Sequence, residues 1–169
     1  MKNNDPVEFQ FDEIEKNIVN EISAFPVGNL PFNRQKWSRG IKERLCILGK
    51  KYSYQVCARD CDNTDNGEWL YDMCWSKNEG DFFIESGLAF ESEWDNWDLD
   101  SDFQKLIQAR SNHRVWLFKL KGTSENFNAV INKCVKQIQL FKGTLKGDRY
   151  LFLGWNESLS EFNKRLYIA

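Results

Sequence analysis

The chain has 169 residues, enough for one domain with a sizeable core. Hydrophobic residues make up 41%, charged residues 28% and aromatic residues 15%, with only 10 Gly and 3 Pro, which excludes disordered and collagen-like chains. The formal net charge is −2, no apolar run approaches the roughly 20 residues of a membrane helix, and the opening MKNNDPVEFQFDEIEK is too acidic and polar for a signal peptide. The expectation is a single domain over 1–169, with no membrane association.

The elements follow in chain order. Residues 8–24 carry Phe11, Ile14, Ile18 and Ile22 near one face, an amphipathic helix pattern. Residues 25–34 hold Pro26, Gly28 and Pro31 and read as a loop. Residues 35–50 repeat Trp37, Ile41, Leu45 and Leu48 at helical spacing, with Gly49 as a C-terminal stop. Tyr52 to Cys57 reads as a short strand, and 58–67 as a polar turn region. EWLYDMCW (68–75) reads as a strand, with a hairpin turn over Lys77 to Gly80. FFIESGLAFESEW (82–94) reads as a long strand, bulged around Gly87. Ser101 and Asp102 can cap a helix over DFQKLIQAR, RVWLFKL (114–120) is a strand, and 123–141 is a helix with Phe127, Val130, Ile131, Cys134 and Ile138 on one face. RYLFLG (149–154) is a further strand, and the tail can add one more element. From residue 35 the order is α-β-β-β-α-β-α-β, an α+β class with a mixed sheet. Strand, helix and strand from 82 to 120 should form a parallel βαβ unit.

The cysteines are Cys46, Cys57, Cys61, Cys74 and Cys134. An odd count with a single close pair argues against a disulfide framework and for a reducing cytoplasm. Zinc needs about four ligands. Cys57-x3-Cys61 has no second pair nearby and the chain has one histidine, His113, so idle or buried thiols are the better reading.

Charge is divided along the chain. Residues 60–102 hold fourteen acidic residues and one basic, Lys77, whereas 103–150 hold ten basic and two acidic. Residues 34–59 add eight basic residues and only Glu43. Such a division suits an acidic site beside a surface that grips a polyanion. Mutual neutralisation of the two blocks in the fold is the competing reading.

Three carboxylates stand out within the acidic block. On a strand, Asp72 shares parity with Leu70 and Cys74, opposite Trp69, Tyr71 and Trp75. Glu91 and Glu93 share a face with Ala89, opposite Leu88, Phe90 and Trp94. Pairing of the two strands as a hairpin brings Asp72 towards Glu91 and Glu93. Crowded like charges are costly unless a cation offsets them. Mg2+ or Mn2+ does so through oxygen ligands, and can then activate water for phosphodiester hydrolysis. Trp94 and Trp97, in the acidic stretch, are candidates for exposed ligand contacts.

A strand-borne Asp72, then Glu91-Ser92-Glu93 ending the next strand 19 residues on, then helix and strand, resembles the PD-(D/E)XK nuclease superfamily. The resemblance covers residues 35–120, about half the chain. It implies a restriction-endonuclease-like αβββαβ core in an α/β/α sandwich, with 1–34 as an N-terminal helix and loop and 121–169 as a C-terminal extension. The family's usual Glu-x-Lys is Glu-x-Glu here. Some members carry the lysine on the following helix, and DFQKL then offers Lys105. Glu43, on the helix before the first strand, matches an extra acidic metal ligand found in some members. The resemblance thus implies a divalent-metal-dependent DNA nuclease. Asp72, Glu91, Glu93 and Glu43 would hold Mg2+ or Mn2+, and Lys105 would assist the attacking water. Arg110, Arg114, Lys133, Lys136, Lys142 and Lys146 would contact DNA phosphates. Cutting both strands symmetrically would call for a second copy, hence a possible homodimer. The alternatives are a nuclease-like fold that has lost activity and serves as a binding module, and a carboxylate hydrolase with a non-nucleic substrate. Whether Lys105 points at the carboxylates discriminates between the enzyme and the module.

Overall fold

A computed structural model describes residues 10–25, 31–94, 101–120 and 124–169. Four helices and six strands follow in the order α1 (Glu13–Ser23), α2 (Arg34–Lys51), β1 (Gln55–Ala58), β2 (Met73–Glu79), β3 (Phe82–Glu93), α3 (Asp102–Gln108), β4 (His113–Lys119), α4 (Ser124–Leu140), β5 (Arg149–Asn156) and β6 (Glu161–Ile168). The strands form one mixed sheet in the order β1-β2-β3-β4-β5-β6. β1, β2 and β3 pair antiparallel, β3-β4 and β4-β5 pair parallel, and β6 closes the sheet antiparallel to β5. The α+β class and the parallel βαβ unit through α3 are as expected. Among the described residues no helix is long and apolar enough to cross a membrane.

Alternation along the strands divides the core in two. Met73, Trp75, Leu88, Phe90, Val115, Leu117, Leu151 and Leu153 face α1 and α2. Ala89, Trp116, Phe118, Tyr150 and Phe152 face α3 and α4. The sheet is thus covered by helices on both faces, and each large side chain so buried contributes about 1.5–3 kcal/mol. The helical stripes behave as their spacing predicts. Ile18, Ile22, Ile41, Leu45, Ile131, Cys134 and Ile138 are at most 1% exposed.

Two glycines act through close approach. Gly87 is the extra residue of a bulge, because Trp75 pairs with Leu88 whereas Ser76 pairs with Ser86. A Cβ there would lie 2.4 Å from the Tyr54 ring. Gly49 does not stop α2, which runs on to Lys51. It lies inside the helix because a Cβ would meet the Trp75 ring at 2.7 Å. The chain leaves α2 through Ser53, in the left-handed region at φ 62°.

Some expectations need correction. Residues 68–72 are not strand, and Trp69 and Leu70 are largely exposed. β2 starts at Met73 and extends to Glu79, so the hairpin turns at Gly80 and Asp81, with Gly80 at φ 58°. Trp94 is buried between Trp37 and Phe32 and is not a ligand contact. Trp97, Asp95, Asp98 and Asp100 lie outside the described residues.

The N-terminal helix is fastened by charge. Asp12 caps α1 in a capping box with Glu15. Glu15, 1% exposed, takes two bonds from Arg149, at 2.7 and 2.6 Å. His113 is buried, with Nδ1 3.1 Å from the Gly87 carbonyl and Nε2 2.7 Å from the Asp12 carboxylate. Burial works against the Asp12 charge, but the Glu15 amide, His113 and Arg149 hold its carboxyl below the usual range. At the opposite edge, the outward N–H groups of β1 are taken within the chain. Val56 donates to Asp65 Oδ2 at 2.8 Å, and Ala58 to the Asn66 carbonyl at 3.1 Å and Thr64 Oγ1 at 3.0 Å.

Gly49→Ala tests the account of α2. In an open helix interior the change would gain about 1 kcal/mol. Against Trp75 it is expected to lose about 1–3 kcal/mol, read as a lower urea midpoint at unchanged slope. A raised midpoint would show that the contact does not constrain this position.

Candidate carboxylate–lysine site

The site sits where β2 begins and β3 ends, on the sheet face that carries α3. Met73 pairs with Phe90, and Asp72, one residue before β2, lies beside the end of β3. Asp72 is half-buried, and its Oδ2 accepts from the Ser92 N–H at 2.9 Å and the Ser92 hydroxyl at 2.8 Å. Glu91 pairs in register with Trp116 of β4, and Glu93 with Phe118. Both glutamates therefore lie on the α3 face, Glu91 at 2% exposure and Glu93 half-buried.

α3 has seven residues and buries Phe103, Leu106 and Ile107. Lys105 is about 150° from the centre of that stripe at 100° per residue, yet it is not lost to solvent. Its Nζ stands 2.8 Å from Asp102 Oδ1 and 3.5 Å from Glu91 Oε1. The Asp102 bond, and then Glu91, hold the Lys105 ammonium above its ordinary range in spite of partial burial. The 3.5 Å approach is a charge contact and not a formed hydrogen bond. Glu91 Oε1 is buried and has no hydrogen-bond partner. Burial, and then the neighbouring Asp72 charge, push the Glu91 carboxyl up to about 8, with Lys105 opposing the rise.

Sequence reasoning put Asp72, Glu91 and Glu93 on one face, offered Lys105 with its direction open, and missed Asp102 and Ser92. Asp102 read as a capping residue, but it spends its carboxylate on Lys105 at i+3. Ser92 was hidden because its amide reaches across the strand pair, which no local pattern reports. Glu43 is engaged elsewhere. It lies on α2, and its carboxylate accepts from the amides of Asp62 and Asn63 and from Asn63 Nδ2. It thus closes the loop after β1. Arg114 also needs correction as a phosphate contact. Its side chain is 2% exposed, bonded to the Ala109 carbonyl and Asp148 and placed over the Tyr150 ring, so no phosphate can reach it. Arg110, Lys133, Lys136, Lys142 and Lys146 are exposed and form no ion pair among the described residues.

A basic cavity of about 620 Å³ lies at the start of α2, lined by Arg34, Lys36, Ser38, Arg39, Lys42 and Asp60. It falls at the same end of the sheet as Glu93, since the adjoining Trp94 packs on Phe32 and Trp37. Among the described residues, two groups bring three ligand atoms within 4.8 Å of one another: Glu43 with Cys46 and Cys61, and Asp12 with Glu15 and His113. The strand carboxylates do not close to that spacing. In the second group Arg149 already supplies the positive charge. Comparisons with protein-family models, curated proteins and solved structures gave no significant match.

The raised Glu91 carboxyl fixes the sign of a pH effect. The folded chain keeps a proton on Glu91 between about pH 4.5 and about pH 8, where the unfolded chain has released it. Stability therefore falls as pH rises through that window and levels off above it. Glu91→Gln removes the dependence and is expected to be about 2–4 kcal/mol more stable than wild type at pH 9, with little difference at pH 4.5. Urea unfolding at both pH values measures this, and equal differences at the two would contradict the assignment.

Proposed function

We propose that the chain is a divalent-metal-dependent nuclease of the PD-(D/E)XK type acting on DNA, on a restriction-endonuclease-like core. The observation that carries this reading is the Lys105 ammonium 3.5 Å from Glu91 Oε1, a buried carboxylate oxygen with no hydrogen bond, with Asp72 beside the end of the same strand. A structural carboxylate that deep is normally fully bonded; this one is left available. The donor set suits Mg2+ or Mn2+, since hard cations take oxygen ligands from a few carboxylates and keep much of their water. Asp72, Glu91 and Glu93 would hold the ion, and both Ser92 bonds fall on Asp72 Oδ2, so Oδ1 is free of them. When bound, the ion supplies a Lewis acid for the phosphate and makes water a better nucleophile.

The chain's own residues do the remainder. Ser92 fixes the Asp72 carboxylate. Asp102 holds Lys105 beside Glu91, where the ammonium can orient water and offset negative charge as it develops on the phosphate. Lys105, although it comes from the helix, would take the part of the family's Glu-x-Lys residue, and its 3.5 Å approach to Glu91 supports that reading. This favours the enzyme over the inactive module. The exposed cations Arg110, Lys133, Lys136, Lys142 and Lys146 suit a polyanion held near the acidic site.

Calorimetric titration of Mn2+ with plasmid cleavage on the same samples tests the proposal. Wild type is expected to bind Mn2+ and nick the plasmid. Asp72→Asn, which keeps an acceptor for Ser92, is expected to lose both. Lys105→Met is expected to keep metal binding and lose about 10²–10³-fold in cleavage rate. Absence of Mn2+ binding in the wild type would remove the catalytic reading and leave a binding module.

A further inference from the structure

Four of the five cysteines lie beside another cysteine. Cys57 and Cys74 are directly opposed across β1 and β2. Cys46, on α2 and wholly buried, lies with its Sγ within 4.8 Å of the Sγ of Cys61, on the loop after β1. Cys57 and Cys61 are the close pair in sequence, and the fold sends those two to different partners. All five thiols are free.

The Cys46–Cys61 pair is held together by its surroundings. The loop is fastened to α2 by residues one turn before Cys46. Lys42 Nζ donates to the Arg59 carbonyl at 2.7 Å, and the Glu43 carboxylate accepts from Asp62 and Asn63. These bonds flank Cys61 on both sides and fix its position over Cys46. A separation of at most 4.8 Å leaves less than about 3 Å to close on an S–S bond of about 2.04 Å. The two thiols differ in character. Cys61 is partly exposed and its thiol contacts the Arg59 carbonyl at 3.5 Å. A hydrogen bond from Cys46, against desolvation, with Lys42 and then Arg39 nearby, holds Cys61 below the usual thiol range. The same bond, and then burial, raises Cys46. A metal fits less well. The group supplies three ligands where zinc takes about four, the Glu43 oxygens already accept three N–H bonds, and Lys42 and Arg39 oppose a dication.

We propose that Cys46 and Cys61 form a reversible disulfide, with Cys61 as the thiol that a hydroperoxide oxidises first. The Cys61 thiolate attacks one peroxide oxygen. An S–O bond forms, the O–O bond breaks, and the departing oxygen takes a proton and leaves as water or alcohol. The Cys46 thiol then attacks the Cys61 sulfur. The S–S bond forms, the S–O bond breaks, and the hydroxyl leaves as water with the Cys46 proton. Two thiols thus give two electrons and two protons to one peroxide, and a dithiol reductant reverses the change. The bond ties the loop after β1 to α2.

The test treats the intact chain with hydrogen peroxide, blocks the remaining thiols by alkylation, and maps the unreduced digest by mass spectrometry. The expected product is a peptide pair joined through Cys46 and Cys61 that dithiothreitol separates, with a thermal midpoint about 5–10 °C above that of the reduced chain. Cys61→Ser is expected to abolish the link and leave Cys46 as a thiol. Cys46→Ser is expected to stop at a Cys61 sulfenic acid that dimedone traps. Three results would overturn the proposal: no Cys46–Cys61 link in the wild type, a link between Cys57 and Cys74 in its place, or stoichiometric zinc that shields both thiols from alkylation until a chelator is added.

Discussion

The architecture depends on β3 pairing in opposite senses with its two neighbours. An antiparallel partner can follow after a two-residue turn, and β2 and β3 are joined that way. A parallel partner requires the chain to return to the starting end of the sheet, and α3 lies on that return. The return lays a helix over the end of β3. Phe103, Leu106 and Ile107 pack there beside Ala89 and Trp116, on the face that also carries the buried Glu91. Lys105, on the seven-residue α3, stands 3.5 Å from Glu91.

The chain contains a second buried glutamate that makes the first informative. Glu15 and Glu91 are almost equally hidden, at 1% and 2% exposure. Glu15 meets a guanidinium through two bonds and forms half of a capping box, so its charge is satisfied and its work is to attach α1 to β5. Glu91 has an ammonium at charge-contact distance and an oxygen without a bond. Equal burial with unequal satisfaction separates a fastening from a place where chemistry can occur. His113 belongs with the fastening, since both ring nitrogens face acceptors from neighbouring elements.

Much of this was legible in the sequence, because periodicity records which face is buried. Helical stripes located α1, α2 and α4, and strand parity put Asp72, Glu91 and Glu93 on one face before any register was known. What parity could not report was tertiary. The apolar and aromatic run of 68–72 has strand composition, but those residues lie outside the sheet, and β2 runs on through Lys77 to Glu79, which read as turn. Gly49 carries a helix-stop identity, yet it lies inside α2 against the Trp75 ring. Arg114 looks like any surface cation until its burial over Tyr150 is seen. Charge blocks along the chain likewise say nothing of which lysine meets which acid; Lys105 crosses from the basic block to Glu91 and Asp102, while Lys133, Lys136, Lys142 and Lys146 stay at the surface.

The treatment of the sheet's first edge has a consequence for how copies of the chain can meet. A strand at the end of a sheet usually presents a row of unused N–H and C=O groups, which invites another strand to add. On β1 the outward amides of Val56 and Ala58 are already engaged by Thr64, Asp65 and Asn66. The polar segment after β1 thus serves as a built-in stopper. Growth of the sheet from one molecule into the next is closed on this side, and so is the simplest route from a crowded solution to a fibre.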